Sequence, residues 1–218
     1  MLLILIFITI AVSYIGAYSL EKSFLKYSFF IDSPTERSSH KNSTPTAGGL
    51  SILLAYFFYV YLLLAFHESL IPWYDGHQEY TQNPFFILIA VLSPIMIIGL
   101  IDDFKEANPG IRLLVQFFSA SLIIYYFQVS NDIFELEKQT SQSALMIIII
   151  SIILSMWLMN LYNFMDGIDG YASSECIFVS FSAAVLAYIN NPDSIVSLCI
   201  GGLGVANIGF LVRNWNPA

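Results

Sequence analysis

The chain reads as an all-α protein, a polytopic transmembrane helix bundle of about seven spans with its N-terminus outside. Composition is the first reason: 57% of the 218 residues are hydrophobic and 11% are charged, where ordinary soluble domains carry about 25% charge. The second is spacing. Seven apolar stretches, most near the ~20 residues a bilayer demands, follow one another with no soluble domain, low-complexity tract or internal repeat between them. The third is the mean hydropathy of +0.71. A soluble protein would have nowhere to put so many uninterrupted apolar runs, so residues 1–218 are expected to form a single integral-membrane domain.

The expected spans are Leu2–Leu20, Gly48–Phe66, Phe85–Ile101, Ile111–Val129, Ala144–Met159, Cys176–Ile189 and Ile195–Val212. The first starts apolar without a basic leader, which predicts a retained span and not a cleaved signal. The sixth is short and holds Ser180 and Ser182, so its apolar signal is the weakest. Cys176 and Cys199 lie in or beside apolar runs and read as small buried hydrophobes, not as a disulfide or metal framework.

Lysine and arginine set the orientation. With loops alternating sides, one side receives Lys22, Lys26, Arg37, Lys41, Lys105, Arg112 and Arg213, and the other Lys138 alone. Basic residues gather on the cytoplasmic side, so the loops after spans one, three, five and seven are cytoplasmic. The outer loops are plain polar connectors. Their Trp73, Tyr74 and Tyr80 suit an interfacial belt, and His67 and His77 read as solvated loop histidines. Nothing in the sequence asks for nucleic acid; membrane lipids are the expected surroundings.

The unusual polar residues all fall on the cytoplasmic side. The first such loop, Asp32 to Gly49, offers Arg37, His40 and Lys41 with several hydroxyls, and ends on Gly48-Gly49. Arginine matches phosphate geometry, and glycines let backbone N–H groups approach an anion. In the second, Asp102 and Asp103 follow an apolar helix directly. Adjacent carboxylates repel unless a cation or proton intervenes, and magnesium is the usual cation beside phosphate. Arg112 and Gln116, four apart, share one face of the next helix.

The third cytoplasmic stretch organises the chain. N-L-Y-N-F-M-D-G-I-D-G, Asn160 to Gly170, follows an uncharged apolar run. Asn160, Asn163, Asp166 and Asp169 step three at a time, a spacing that keeps helical neighbours on one face. Gly167 and Gly170 then allow a turn or a close approach to a ligand. Such oxygens at a membrane helix end are costly unless paired or bound to a cation. In the seventh span Asn207 is expensive in lipid and so should face the protein interior, while Arg213 and Trp215 read as interfacial anchors. Together the loops point to a cytoplasm-facing site for a phosphorylated substrate and a divalent metal.

In order and sidedness, S-P-T-E-R-S-S-H-K-N-S-T-P-T-A-G-G at Ser33–Gly49, D-D-F-K-E at Asp102–Glu106, R-L-L-V-Q at Arg112–Gln116 and the Asn160–Gly170 motif resemble the polyprenyl-phosphate N-acetylhexosamine-1-phosphate transferases. The form N-F-M-D-G-I-D-G is most similar to the O-antigen-initiating branch. The resemblance covers nearly the whole chain. It implies transfer of a sugar 1-phosphate from a UDP-N-acetylhexosamine to undecaprenyl phosphate with release of UMP, at the cytoplasmic face of a bacterial inner membrane, and it is compatible with a homodimer. It implies Mg²⁺ as cofactor, with Mn²⁺ as a substitute. Asp102, Asp103 and Asp166 are implied to be catalytic, with Asp166 and Asp103 on the metal. Arg37, His40, Lys41, Asn160, Asn163, Asp169 and Arg112 are implied to bind substrate. Relatives of this type continue into further spans beyond a W-N-P-A-like segment, whereas this chain stops at Ala218, so it is expected to be a fragment.

Two other readings compete. D-D-F-K-E also resembles the acidic metal motifs of prenyltransferases, and D-G-I-D-G faintly resembles phosphatidyltransferases, but the partner motifs of both are absent. A transporter would use the aspartates as coupling-ion sites, yet it would place them near the bilayer midplane. Here they stand at span ends, which favours an enzyme using a soluble nucleotide.

Overall fold

The structure, a computed structural model, describes residues 1–27, 31–32, 44–45, 48–66, 84–105, 107–131, 141–165, 169–190, 192 and 195–215. Among them are seven helices: α1 (Leu2–Tyr27), α2 (Gly49–Ala65), α3 (Pro84–Phe104), α4 (Pro109–Asn131), α5 (Ser141–Met165), α6 (Tyr171–Asn190) and α7 (Val196–Leu211). Each coincides with one expected span, so the all-α membrane bundle stands. Two residue pairs, β1 (Ile31–Asp32) and β2 (Thr44–Pro45), bridge antiparallel and close the base of the first loop.

Lengths differ from expectation: α1 runs on to Tyr27, and α5 spans Ser141–Met165, beyond the expected Ala144–Met159 at both ends. The sixth span is a full 20-residue helix, and α2 and α7, with 17 and 16 residues, are the short ones. Of the two serines that weakened α6 in the sequence, Ser180 is where it packs and Ser182 is exposed. Ser173 and Ser180 are buried, and a Cβ on Gly204 of α7 would sit 3.2 Å from that of Ser180. Small residues let membrane helices approach closely, which apolarity alone does not do.

The chain divides into two compact units, Met1–Gln78 with Met165–Ala218, and Glu79–Phe164. In the first, α1, α2 and α7 pack against one another and α6 lies along α7. Its core is tight enough that a Cβ on Gly209 would lie 2.3 Å from the Ile10 carbonyl oxygen. Asn207 is buried there as its cost in lipid requires, donating from Nδ2 to the Leu203 carbonyl at 2.9 Å and to Cys176 Sγ at 3.3 Å.

In the second unit, α3 packs on α4. The start of α4 follows from Asn108-Pro109-Gly110. Asn108 Oδ1 accepts the Gly110 N–H at 2.8 Å, and proline fits the first helical position, where no N–H is needed. None of the apolar window of α5 is buried, as suits a helix face turned to hydrocarbon.

Candidate active site

The second unit carries the paired aspartates. α3 is apolar through Ile101 and ends on Asp102, Asp103 and Phe104. Asp102 is held twice: its Oδ2 accepts Arg112 Nη1 at 2.6 Å and its Oδ1 accepts the Ala107 N–H at 2.9 Å. These bonds fold the α3–α4 connection back on itself and place a guanidinium against one of two adjacent carboxylates. That relieves the repulsion that adjacent charges impose. Asp103 is exposed. The two neighbours therefore differ in exposure: Asp102 is half-buried and built into the backbone turn, and Asp103 is exposed.

Arg112 and Gln116 do share a face of α4, and both are used. Gln116 is buried, and its amide exchanges hydrogen bonds with Asn160 on α5. Asn160 Nδ2 donates to Gln116 Oε1 at 2.7 Å, and Gln116 Nε2 donates to Asn160 Oδ1 at 3.4 Å. Asn160 also donates to the Met156 carbonyl one turn back, at 2.8 Å. Asn163, one turn further along, is exposed.

The first unit holds the other end of the long motif. Asp169 is half-buried at the turn into α6, and Gly170 has φ +69°, a left-handed conformation that favours glycine. The Gly170 carbonyl accepts both the N–H and the hydroxyl of Ser174, at 2.9 and 2.6 Å. A side chain at 170 would also meet Leu211, Trp215 and the Asn214 carbonyl at 3.2 to 3.4 Å. The turn that follows α7 thus backs the Asp169–Gly170 turn. That segment is itself tied to α1: Arg213 Nε donates to Glu21 Oε2 at 3.2 Å, Nη2 donates to the same oxygen, and the guanidinium lies 5.5 Å from the Tyr18 ring centroid. Hydrogen bonding to Glu21 pushes the Arg213 group further above its usual range, so it stays charged at any working pH.

Gly48 has ordinary helical angles, and its missing side chain makes room for the Phe210 ring, which a Cβ would approach to 2.5 Å; Gly49 has open space instead. Arg37, His40, Lys41 and Asp166 lie outside the described residues. Among the described residues no three His, Cys, Asp or Glu side chains gather as a metal cluster. Sequence reasoning noted Gln116 only as a neighbour of Arg112 and passed over Glu21. The signal for Gln116 was an amide inside an apolar helix, and for Glu21 an acid three residues from Tyr18 at the end of span one.

These features define a multi-span membrane protein whose carboxylates and amides collect at helix ends. The family model for glycosyl transferase family 4 matches residues 85–218, which takes in the aspartate pair, the α4 face and the Asn160–Gly170 motif. The chain belongs to that family. Among curated proteins it is similar to the phospho-N-acetylmuramoyl-pentapeptide-transferase of Staphylococcus carnosus, 24% identical over 193 residues covering 82% of this chain and 56% of that protein. The corresponding proteins of Staphylococcus epidermidis and Streptococcus pneumoniae are 28% and 26% identical, again over 82% of this chain and 56% and 53% of theirs. The chain spans about half the length of the curated relatives it matches.

Proposed function

We propose that the protein transfers an N-acetylhexosamine 1-phosphate from a UDP-sugar to a polyprenyl phosphate, undecaprenyl phosphate in a bacterial plasma membrane, from the cytoplasmic face. The observation that supports this best is the unequal pair at the end of α3, inside the matched family region: Asp102 held by Arg112 and Ala107, Asp103 exposed. In the reaction a lipid phosphate oxygen attacks the β-phosphorus of the UDP-sugar. A new P–O bond forms, the bond from that phosphorus to the bridging oxygen breaks, and UMP leaves. The work asked of the protein is to hold reactants and offset developing charge.

The donor set suits Mg²⁺, with Mn²⁺ as a substitute. Magnesium takes one or two carboxylates and fills its remaining positions with water and substrate phosphate. Asp103 and Asp166 are the carboxylates assigned to it, and when bound the ion neutralises phosphate charge. Asp102 keeps Arg112 and the α3–α4 turn in place, and the exposed Asp103 is the carboxylate of the pair assigned to the reactants. Asn163 and Asp169 are assigned to the donor, and Arg37, His40 and Lys41 to phosphates. The N-F-M-D-G-I-D-G form favours a donor of the O-antigen-initiating type, an N-acetylated and often 6-deoxy hexosamine.

The test is UMP release from membranes containing the protein, with undecaprenyl phosphate, Mg²⁺ and a panel of UDP-N-acetylhexosamines. Turnover with one of the donors, abolished by chelation and reduced about a hundred- to a thousandfold by Asp103→Asn, is the expected result, the range for removing one group that stabilises transition-state charge. Silence with every donor would sink the reading.

A further inference from the structure

The sequence marks Asn160 as a substrate ligand, but its hydrogen bonds assign it elsewhere. A side-chain amide has two donor hydrogens. Both of those on Asn160 are spent inside the protein, one on Gln116 Oε1 at 2.7 Å and one on the Met156 carbonyl at 2.8 Å. To donate to a phosphate or a uracil carbonyl, Asn160 would have to abandon Gln116. Gln116 is 6% exposed within an apolar helix, and a buried amide left without its partner is costly. The pair is therefore expected to persist.

The same face of α4 carries Arg112 one turn earlier, on Asp102. One helical stripe thus grips the carboxylate end of α3 and the amide end of α5. α5 otherwise turns an unburied apolar surface outward, and smooth apolar surfaces do not fix a helix in rotation or register. Hydrogen bonds do, because a shift of one residue swings a side chain through about 100°.

We propose that Gln116 is a positioning residue of the transferase site. It acts through Asn160 to fix the register of α5 and so the exposed Asn163 in its last turn. This rests on the transferase reading and adds to it a role for a residue that touches no substrate.

A four-enzyme comparison tests it: wild type, Gln116→Leu, Asn160→Leu and the double variant, with the exchange Gln116→Asn/Asn160→Gln as a fifth. Each is assayed for UMP release, varying donor and polyprenyl phosphate separately. Each single change should lower kcat/KM for the donor about tenfold, mainly as a raised donor KM, with the KM for polyprenyl phosphate unmoved. Residues acting as one unit are non-additive, so the double variant should lose no more than the worse single. The exchange keeps the summed side-chain length and the reciprocal amide bonds, and it should restore most of the activity. A merely structural role would lower the amount of active enzyme, hence kcat, and leave the donor KM unchanged; that result overturns the proposal. So do losses that add, or an exchange variant as impaired as Asn160→Leu, since either makes Asn160 a direct ligand. If the leucine variants fail to reach the membrane, the exchange variant decides alone. An active wild type with these contrary results overturns only this inference, whereas a silent wild type overturns the transferase reading beneath it.

Discussion

The two units of the chain are held together by different means. Around α1, α2, α6 and α7 the close approaches are made by missing side chains, beside polar ties such as Asn207 to Cys176. Gly209 lies against the backbone of Ile10 and Tyr14, Gly202 lies under the Tyr59 ring, and Gly204 lies against Ser180. Around α3, α4 and α5 the side chains that fix geometry are polar: Asp102 on Arg112, and Asn160 on Gln116. Lipid tails are as apolar as leucine, so burial gives membrane helices little reason to associate. Close van der Waals approach and hydrogen bonds remain, and each unit relies chiefly on one of them. The first is sensitive to volume; the second is sensitive to polarity.

Glycine-to-alanine changes give the largest contrast. Gly209→Ala places a methyl 2.3 Å from the Ile10 carbonyl oxygen and 2.9 Å from the Tyr14 nitrogen. Neither is a flexible side-chain tip, so the helices must separate, at about 3 kcal/mol or more, the upper end for overpacking. Gly99, in α3 of the second unit, has none of the described residues within 4 Å of the position its Cβ would take. There alanine should be neutral or stabilise by roughly 0.5–1 kcal/mol through helix propensity. Thermal unfolding of the two variants in one detergent checks both. Equal losses at the two positions would erase the distinction between the units.

Asp102→Ala is the matching change in the second unit. It removes the acceptor of the Arg112 and Ala107 N–H bonds, and charge-assisted bonds of this kind are worth roughly 1.5–3 kcal/mol. With 28% of each side chain exposed, about 1–2 kcal/mol is the expected loss. Activity should fall further than stability accounts for, because the freed turn carries Asp103. UMP release measured at matched amounts of folded enzyme separates the two effects. A loss of turnover no larger than the loss of folded protein would leave Asp102 with no influence on Asp103.

How much of this could be read beforehand follows the same division. The spans were readable because lipid forces long apolar runs, and all seven recur as helices. The motif residues were readable because amides and acids at helix ends are expensive and so stand out. The sequence does not display who satisfies whom. Asn160 and Asn163 carry the same group three residues apart, yet one is spent on Gln116 and the other is exposed. Asp102 and Asp103 are adjacent and identical, and only the fold of the α3–α4 turn tells them apart. Ser180 and Ser182 weakened the apolar signal of α6 because hydropathy scores them as polar, while in the structure Ser180 acts as a small surface against Gly204.

A stability effect smaller than at Gly209, and close to that at Asp102, is expected at Gly170. Its φ of +69° costs an L-residue roughly 1–2 kcal/mol, and the Leu211 and Trp215 side chains would have to give a few tenths of an ångström. Gly170→Ala should therefore lose about 2 kcal/mol of stability, seen as a lowered unfolding temperature. A loss near zero would mean that the turn before α6 rearranges freely.

The smallest effect is expected at an ion pair of the first unit, Arg213 and Glu21. Their exposures, 32% and 37%, are close to those of Arg112 and Asp102, so Coulomb attraction alone would rank the two pairs together. What each pair fastens separates them. Asp102 closes a turn through a backbone N–H as well as a guanidinium, whereas Glu21 offers one oxygen to Arg213. The segment it steadies is already packed on Gly170. Glu21→Gln keeps an acceptor and should cost at most about 0.5–1 kcal/mol, the range of exposed ion pairs. That loss should shrink in 1 M salt, where the screening length is about 3 Å. A larger, salt-insensitive loss would mean that the first unit depends on a polar tie as the second does, and the contrast between them would then be one of degree.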